Sequence, residues 1–428
     1  MMKKKILVYP CGTEIGLEIY KSVCNSIHFE LYGGSSTYDH GCFVYKKHIE
    51  NLPFITDHSS EEEISEFNRQ IEKYEFDYIY PAMDGVLTVF SKYRSLLSPT
   101  VIVPEYETTQ VTRSKSKSYK LFQSLIPVPK MFDSIDEIEH FPVFVKPDVG
   151  QGSSGALLVK SLEQLQEVKS VGDGKLVLEY LPGEEFTIDC FTNEEGKLIY
   201  ARGRKRNRIK GGISVNAVFC DRAEFKEIAL VINEHLQQKG AWFFQLKEGA
   251  DGTLKLLEIA SRIAGTSGIN RNIGVNLPLL TLHLFAGQKI DSVMVNDYEI
   301  ELDRALGNKY RISLTYDRVY MDYDDTLIVD GRVNLEMIQF LYQCVNKHKE
   351  IILITKHKGN LEEELEQYRL KGVFDQVIHI TDKEQKVDFV SPQNAIFIDD
   401  SYNERRMIKE AYGIPVFDTH MIENLLEG

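Results

Sequence analysis

Three groups of residues in this chain have types and spacings suited to chemistry. The first is the stretch Phe141-Pro-Val-Phe-Val-Lys-Pro-Asp-Val-Gly-Gln-Gly-Ser-Ser-Gly155, which reads as a strand ending at Lys146 and running into a glycine-serine loop. Gly150, Gly152 and Gly155 carry no Cβ, so backbone N–H groups in such a loop can close over an anion, with Ser153 and Ser154 adding hydroxyl donors. Lys146 supplies a fixed positive charge beside it, a combination suited to phosphate. The second group is the basic cluster Arg202 to Lys210, whose cations suit a small anionic ligand. The third lies in the last hundred residues, where apolar runs end in side chains that carry oxygen. Asp322 and Asp324 stand two residues apart at the end of one, Thr355 ends a second, and Asp399 and Asp400 end a third. Strand ends gathered on one edge of a parallel sheet make a site.

A glycine-serine loop also occurs as an ordinary surface turn, and an acidic pair at a strand end as a cap, so the flanking elements decide. Ile6 to Tyr9 is a short apolar run, followed by Cys11-Gly-Thr-Glu-Ile-Gly16 and an amphipathic segment through Val23: strand, tight loop, helix. Phe29 to Tyr32, Asp77 to Pro81 and Val101 to Pro104 supply further strands, with a polar helical stretch over Ser60 to Tyr74, giving a small open parallel sheet. The first loop lacks the full dinucleotide fingerprint, which argues against a nicotinamide site. Asp84, just past a strand end, either faces a substrate or caps a turn. From Thr112 a helix opens with Arg113, Lys115, Lys117 and Lys120 and ends before Pro127. Leu162 to Val168 forms another helix, and Lys175 to Gly183 a strand leading into a turn. Glu184 to Asp189 alternates as a half-buried strand does. Ala241–Leu246 and Thr253–Ile259 pair through an Asp251-Gly252 turn, which projects Gln245 and Glu258 from neighbouring strands on one side.

Composition bounds the possibilities. A chain of 428 residues suggests about three domains at ~100 to 200 residues each. Hydrophobic residues make up 43% and charged residues 27%, and no apolar run approaches the ~18 residues needed to cross a bilayer. The basic opening followed by Ile6-Leu-Val-Tyr9 is too short for a signal peptide and reads as a buried strand. A net charge of −14 repels nucleic acid and anionic membranes. Six scattered cysteines without a Cys-x-x-Cys spacing argue against a zinc site and a disulfide framework, and favour a reducing cytoplasm.

The succession Lys117, Val145-Lys146-Pro147, the glycine loop, Glu179-Tyr-Leu181, Glu185, Gln245 and Glu258-Ile-Ala-Ser-Arg262 resembles the ATP-grasp superfamily, especially its carbamoyl-phosphate-synthetase-like branch. The resemblance covers roughly residues 1 to 310. It implies that Lys117 and Lys146 contact ATP phosphates under the loop Gly150, Gly152, Ser153, Ser154 and Gly155. Glu179 and the Leu181 backbone would hold the adenine edge, and Glu185 the ribose hydroxyls. Glu258 would bridge Mg²⁺ (or Mn²⁺) with Gln245 as partner ligand. Ala260 replaces the asparagine common in that run, which puts a two-metal arrangement in doubt. Such enzymes pass the γ-phosphoryl group to a carboxylate and let an amine attack the acyl phosphate. Arg204, Arg206, Arg208, Lys210 and Arg262 suit the carboxylate and the transferring group, Arg204 and Arg262 foremost, although members of a basic strand also simply face solvent.

Asp322-Tyr-Asp324-Asp-Thr326 resembles the first motif of the haloacid-dehalogenase (HAD) phosphatase superfamily, with Asp325 where glycine is common. The resemblance implies Asp322 as nucleophile, Asp324 as acid and base, Thr355 on the phosphoryl oxygen and Lys386 neutralising it, with Lys383 a competitor for that role. Asp399, Asp400, Asp322 and Asp324 would hold Mg²⁺. The short spacing from Asp322 to Thr355 leaves no room for a sizeable cap.

The expected architecture is a multidomain α/β and α+β protein: a small parallel α/β pre-ATP-grasp domain at 1–110, an ATP-grasp domain at 111–315 and a capless HAD-like Rossmannoid domain at 316–428. The expected function is a cytoplasmic bifunctional enzyme, a carboxylate-amine ligase fused to a phosphatase, acting on small and possibly phosphorylated molecules rather than on nucleic acid or membrane. Two alternatives are an ATP-grasp phosphotransferase without an amine acceptor and a nucleotide-sensing module that regulates the phosphatase.

Overall fold

The computed structural model describes residues 2–150, 152, 154–168, 174–305, 308–381 and 383–426. Its first sheet is built from β1 (Lys4–Tyr9), β2 (Phe29–Gly34), β3 (His48–Ile49), β4 (Tyr78–Pro81) and β5 (Thr100–Val101), all parallel in the order β3-β2-β1-β4-β5. Ile6, Leu7 and Val8 are fully buried, because a central parallel strand is covered on both faces and needs an unbroken apolar run. The helix Glu14–Val23 packs on this sheet, its start fixed by the Thr13 hydroxyl accepting from the Gly16 N–H. The polar stretch after Ser60 forms the helix Glu61–Ile71, closed at its start by a reciprocal Ser60–Glu63 cap.

A four-stranded antiparallel sheet follows, of β6 (Met131–Phe132), β7 (Val143–Pro147), β8 (Leu157–Val159) and β9 (Lys175–Glu179) in the order β6-β9-β7-β8. The third sheet has seven antiparallel strands. These are β10 (Glu185–Thr192), β11 (Leu198–Lys210), β12 (Ile213–Phe219), β13 (Gly240–Glu248), β14 (Leu254–Ala260), β15 (Ile300–Arg304) and β16 (Asn308–Ile312), ordered β14-β13-β10-β11-β12-β15-β16. The β13–β14 register sets Gln245 directly opposite Glu258, and Gly252 takes φ +79 in the connecting turn, where a side chain would be strained.

After the link at 313–317 come β17 (Arg318–Met321), the small hairpin β18 (Ile328–Val329) and β19 (Arg332–Val333), then β20 (Glu350–Thr355), β21 (Gln376–His379), β22 (Ala395–Ile398) and β23 (Val416–Phe417). Five of them form a parallel sheet, β21-β20-β17-β22-β23, with β17 at its centre.

The structure corrects several expected boundaries. The helix expected from Thr112 is two helices, Tyr106–Arg113 and Lys115–Phe122, because the Ser114 side chain caps the second by accepting from the Lys117 N–H. The apolar run expected to end at Asp322 and Asp324 is a strand only as far as Met321, after which the chain turns through Asp325 at φ +56. That left-handed conformation explains why glycine suits the position and why aspartate, among the more tolerant side chains, stands there.

One buried ionic knot ties the last sheet to the rest. Arg271, 2% exposed, donates from Nε to Glu18 at 3.1 Å, from Nη2 to Glu423 and from Nη1 to the His420 carbonyl, and Tyr310 donates to Glu423 at 2.8 Å. Removing the guanidinium leaves the buried Glu18 carboxylate without its cation and the part-buried Glu423 with only Lys21, at 3.9 Å, as a cation. Arg271→Ala is therefore expected to lose roughly 3–5 kcal/mol of stability in chemical denaturation. A loss below about 1 kcal/mol would mean that the two acids find other partners.

Candidate functional sites

The glycine loop and its neighbours border a cavity of about 150 Å³ between the four-stranded and seven-stranded sheets. Lys146, on β7, is 8% exposed and donates from Nζ to the Tyr119 hydroxyl at 2.9 Å. Burial, with Lys115 nearby, pushes its pKa down to about 8 against the pull of Glu258, Glu185 and Asp148. Gly150, Gly152 and Ser154 line the same cavity; Gly152 and Gly155 take φ +63 and +74, and Ser153 lies outside the described residues. Leu181, Glu185, Gln245 and Glu258 complete the wall. Glu185 pairs with Arg206 and with Lys247, and Gln245 Oε1 accepts from Arg206 Nη1 at 3.1 Å.

Three expectations meet different geometry. Lys117 is exposed and reaches Gln110 at 3.3 Å, whereas Lys115 lines the cavity, because the cap at Ser114 turns the second helix so that its first residue faces the loop. Glu179 also lines the cavity, but its carboxylate accepts from the Lys130 N–H and Lys255 Nζ, each at 2.6 Å, which secures the end of β9. Arg204, 1% exposed, is committed to Asp189 at 2.7 Å and to the Thr266 hydroxyl. An internal ion pair of this kind holds β10 to β11, and only part of the guanidinium borders a cavity.

That cavity is a second one, of about 250 Å³, which shares Gly152, Arg206, Gln245 and Glu258 with the first. Thr13 and Glu14 reach it from the first sheet, and Arg262 from beyond β14. Arg262 donates from Nε to Asp84 at 2.7 Å and through Nη2 to the other oxygen. Burial would raise the Asp84 pKa, but Arg262, Arg113 and Lys115 hold it below the usual carboxylate range. Asp84 thus locks the first sheet to the arginine that borders the cavity. Lys115 escaped sequence reasoning as a wall residue, since it stands in no distinctive motif and is placed by a cap, whereas Arg206, one of the cations expected in the basic strand, is held at the wall by Glu185 and Gln245.

A separate cluster lies at the carboxyl edge of the last sheet. Carboxylate oxygens of Asp322, Asp399 and Asp400 all lie within 4.8 Å of one another. Lys386 Nζ donates to Asp322 and to Asp399, each at 2.6 Å, while Lys383 is exposed. Burial, then the neighbouring carboxylates, pushes Asp399 and Asp400 up to about 7, and burial pushes Asp322 up to about 6. Three acids facing one ammonium leave negative charge in excess, and an all-oxygen donor set of this kind fits a hard divalent cation.

Asp324 stands apart, its carboxylate bound by His357 Nδ1 at 2.8 Å, and His357 Nε2 meets Glu364 at 3.1 Å. Burial alone would lower the His357 pKa, but these two carboxylates raise it. Thr355 is buried, and its hydroxyl accepts from the His357 N–H at 3.1 Å. The only sequence signal for His357 was its place two residues beyond a strand end. Cys11, Asp39 and His48 also approach within 4.8 Å of one another, with the Ser35 hydroxyl bonded among them. They come from three separate strand ends, which spacing along the chain does not reveal.

A family model described as "ATP-grasp in the biosynthetic pathway with Ter operon" matches residues 173–304. Among solved structures, pyruvate carboxylase of Rhizobium etli superposes with a TM-score of 0.59 at 17% identity, over 71% of this chain and 31% of that one. N5-carboxyaminoimidazole synthetase of Staphylococcus aureus gives 0.57 at 16%, over 71% and 83%. The fold is ATP-grasp. L-amino acid ligase of Bacillus licheniformis shares this ATP-grasp fold with a TM-score of 0.54 at 17% identity, over 71% and 79%. In sequence, D-alanine–D-alanine ligase of Fusobacterium nucleatum is 35% identical over 86 residues, which are 20% of this chain and 30% of the ligase. No helix among the described residues is long and apolar enough to cross a membrane.

Proposed function

We propose that the chain binds ATP with Mg²⁺ (or Mn²⁺) between its antiparallel sheets and uses it to join a small carboxylate to an amine, and that the acid cluster of the last sheet is a phosphohydrolase. In this reading residues 1–110 form the domain that precedes the ATP-grasp domain at 111–315, and 316–428 form a HAD-like domain. The observation that carries the ligase reading is the pair of adjoining cavities sharing Arg206, Gln245 and Glu258. One is bordered by the buried Lys146 and the glycine loop, the other by Arg262. A phosphoryl donor in the first would abut an acceptor in the second. The ligases among the similar proteins support amide formation.

Lys146 and Lys115 would hold the phosphates, the β9 end and Leu181 the base, and Glu185 the ribose. Gln245 and Glu258 offer the metal two adjacent oxygen donors, and Ala260 offers none. Bound metal would neutralise charge on the triphosphate. The carboxylate oxygen takes the γ-phosphoryl group, releasing ADP; amine attack then forms the amide and expels phosphate. Arg206 and Arg262, fixed in advance by Glu185 and Asp84, would face the charge that develops, so that positioning contributes much of the rate. The phosphohydrolase reading rests on the Asp322–Lys386–Asp399 contacts.

The test is ADP release by Asp322→Asn protein, which silences the phosphatase background, against pooled carboxylates and amines. ADP that needs both classes and disappears in the added Lys146→Ala background supports the ligase. Label from γ-labelled ATP retained in a stable product would replace it with a phosphotransferase, and nucleotide binding without turnover would favour a sensing module.

A further inference from the structure

A cavity of about 610 Å³ lies between the first sheet and the carboxyl edge of the last one. Its walls come from four places. The turn Asn25–His28 enters from the first sheet. The helix Leu277–Phe285 contributes Leu279 and His283, the segment 288–294 follows it, and the last sheet contributes Asp400, Asn403 and Arg406. Asp400 lines the cavity and belongs also to the acid cluster, so at that residue the cavity adjoins the site proposed for phosphoryl chemistry. The turn meets the last sheet where the Asn25 N–H donates to His420 Nε2 at 3.2 Å, and nearby the start of the first strand is tied to it where Lys3 pairs with Asp330 of the β18–β19 hairpin at 2.9 Å. His283 lines the cavity with a buried Nδ1 that has no hydrogen-bond partner among the described residues, and the His28 ring faces it at 5.4 Å.

From this we infer that the N-terminal half of the chain supplies the missing cap of the phosphohydrolase, and that the chamber so formed takes the leaving group of a small, hydroxyl-bearing phosphomonoester. The inference rests on the phosphohydrolase reading. A chamber of this size suits a small molecule, and its imidazole, amide and guanidinium groups, set among Leu279, Leu280 and Ile290 and the acids Asp291, Asp400 and Asp418, suit hydroxyl groups on a partly apolar body rather than a carboxylate. In the reaction, the ester P–O bond breaks as the phosphoryl group passes to an Asp322 oxygen, and the leaving oxygen takes a proton. Water then hydrolyses the aspartyl phosphate to inorganic phosphate and restores the carboxylate.

The experiment uses the full chain with Mg²⁺, first against hexose phosphates, nucleoside monophosphates, phosphoserine and a phosphopeptide, with acetyl phosphate as a probe that needs no leaving-group chamber. His28→Trp and Asn403→Trp, both at exposed positions, then fill the chamber. Expected is a fall of about tenfold or more in kcat/KM for the preferred monoester, chiefly through KM, with acetyl phosphate hydrolysis within about twofold of the unaltered chain. Unchanged monoester kinetics, equal losses on both substrates, preference for the phosphopeptide, or acetyl phosphate turnover with no monoester turnover would each overturn the chamber and leave the phosphohydrolase standing. Failure to hydrolyse even acetyl phosphate would remove the phosphohydrolase and the chamber with it.

Discussion

Asp322→Asn is expected to lower phosphomonoester hydrolysis by roughly 10³-fold or more, with no loss of stability. The amide keeps the shape of the side chain but cannot act as a nucleophile toward phosphorus. Lys386, which Asp322 shares with Asp399, keeps one anionic partner. The stability side of the prediction follows from the cluster's charge. Asp399 and Asp400 hold their protons up to about pH 7, well above the ~3.9 of an unfolded aspartate. Between those values the folded chain binds more protons than the unfolded chain, so this cluster makes stability fall as pH rises through the window. Asparagine at 322 removes one of the repelling charges, and the variant should unfold at the same or higher denaturant concentration at pH above about 7. Hydrolysis within about tenfold of the unaltered chain would exclude Asp322 as the nucleophile. A large loss of stability would assign it a structural role instead.

Lys146→Met should reduce carboxylate-dependent ADP formation by about 10²- to 10³-fold while preserving the fold, since the methionine chain follows the lysine stem and loses only the contacts to the Tyr119 hydroxyl and the Leu257 carbonyl. The unaltered lysine carries its own pH signature. With its pKa pushed down to about 8 by burial and by Lys115, it is charged below that value and neutral above it. Affinity of the free protein for a nucleoside triphosphate should therefore weaken as pH rises through about 8, because an anion binds the charged form. Lys146→Arg, whose guanidinium stays charged throughout, should show no such dependence in a calorimetric titration. Affinity that is flat with pH in the unaltered chain would mean that Lys146 does not meet the anion.

The parallel first sheet could be read from the chain because its strands are buried on both faces and so appear as short unbroken apolar runs, as Ile6–Val8 does. That Gln245 and Glu258 lie on one side was expected from the Asp251-Gly252 turn, but the register next to that turn pairs Leu246 with Leu256, and a β-bulge beyond it is what brings Gln245 opposite Glu258. Other features were not legible. Nothing local distinguishes Lys115 from Lys117; the difference is a hydroxyl cap at Ser114 and the helical rotation it imposes. Arg204 and Arg206 alternate on one strand, yet Asp189 takes the first into an internal pair while Glu185 and Gln245 present the second to both cavities.

By itself the sequence determined residue chemistry and short-range geometry: the glycine loop beside a lysine, acids at strand ends, a net charge of −14. These depend on neighbours a few positions apart. Only the tertiary structure decided which charges are spent on one another and which border open space. Asp84 meets Arg262 across 178 positions, Glu18 meets Arg271 across 253, and Asn25 meets His420 across 395. Burial makes such pairs strong and mutually exclusive, and burial is a property of the packed sheets rather than of any segment.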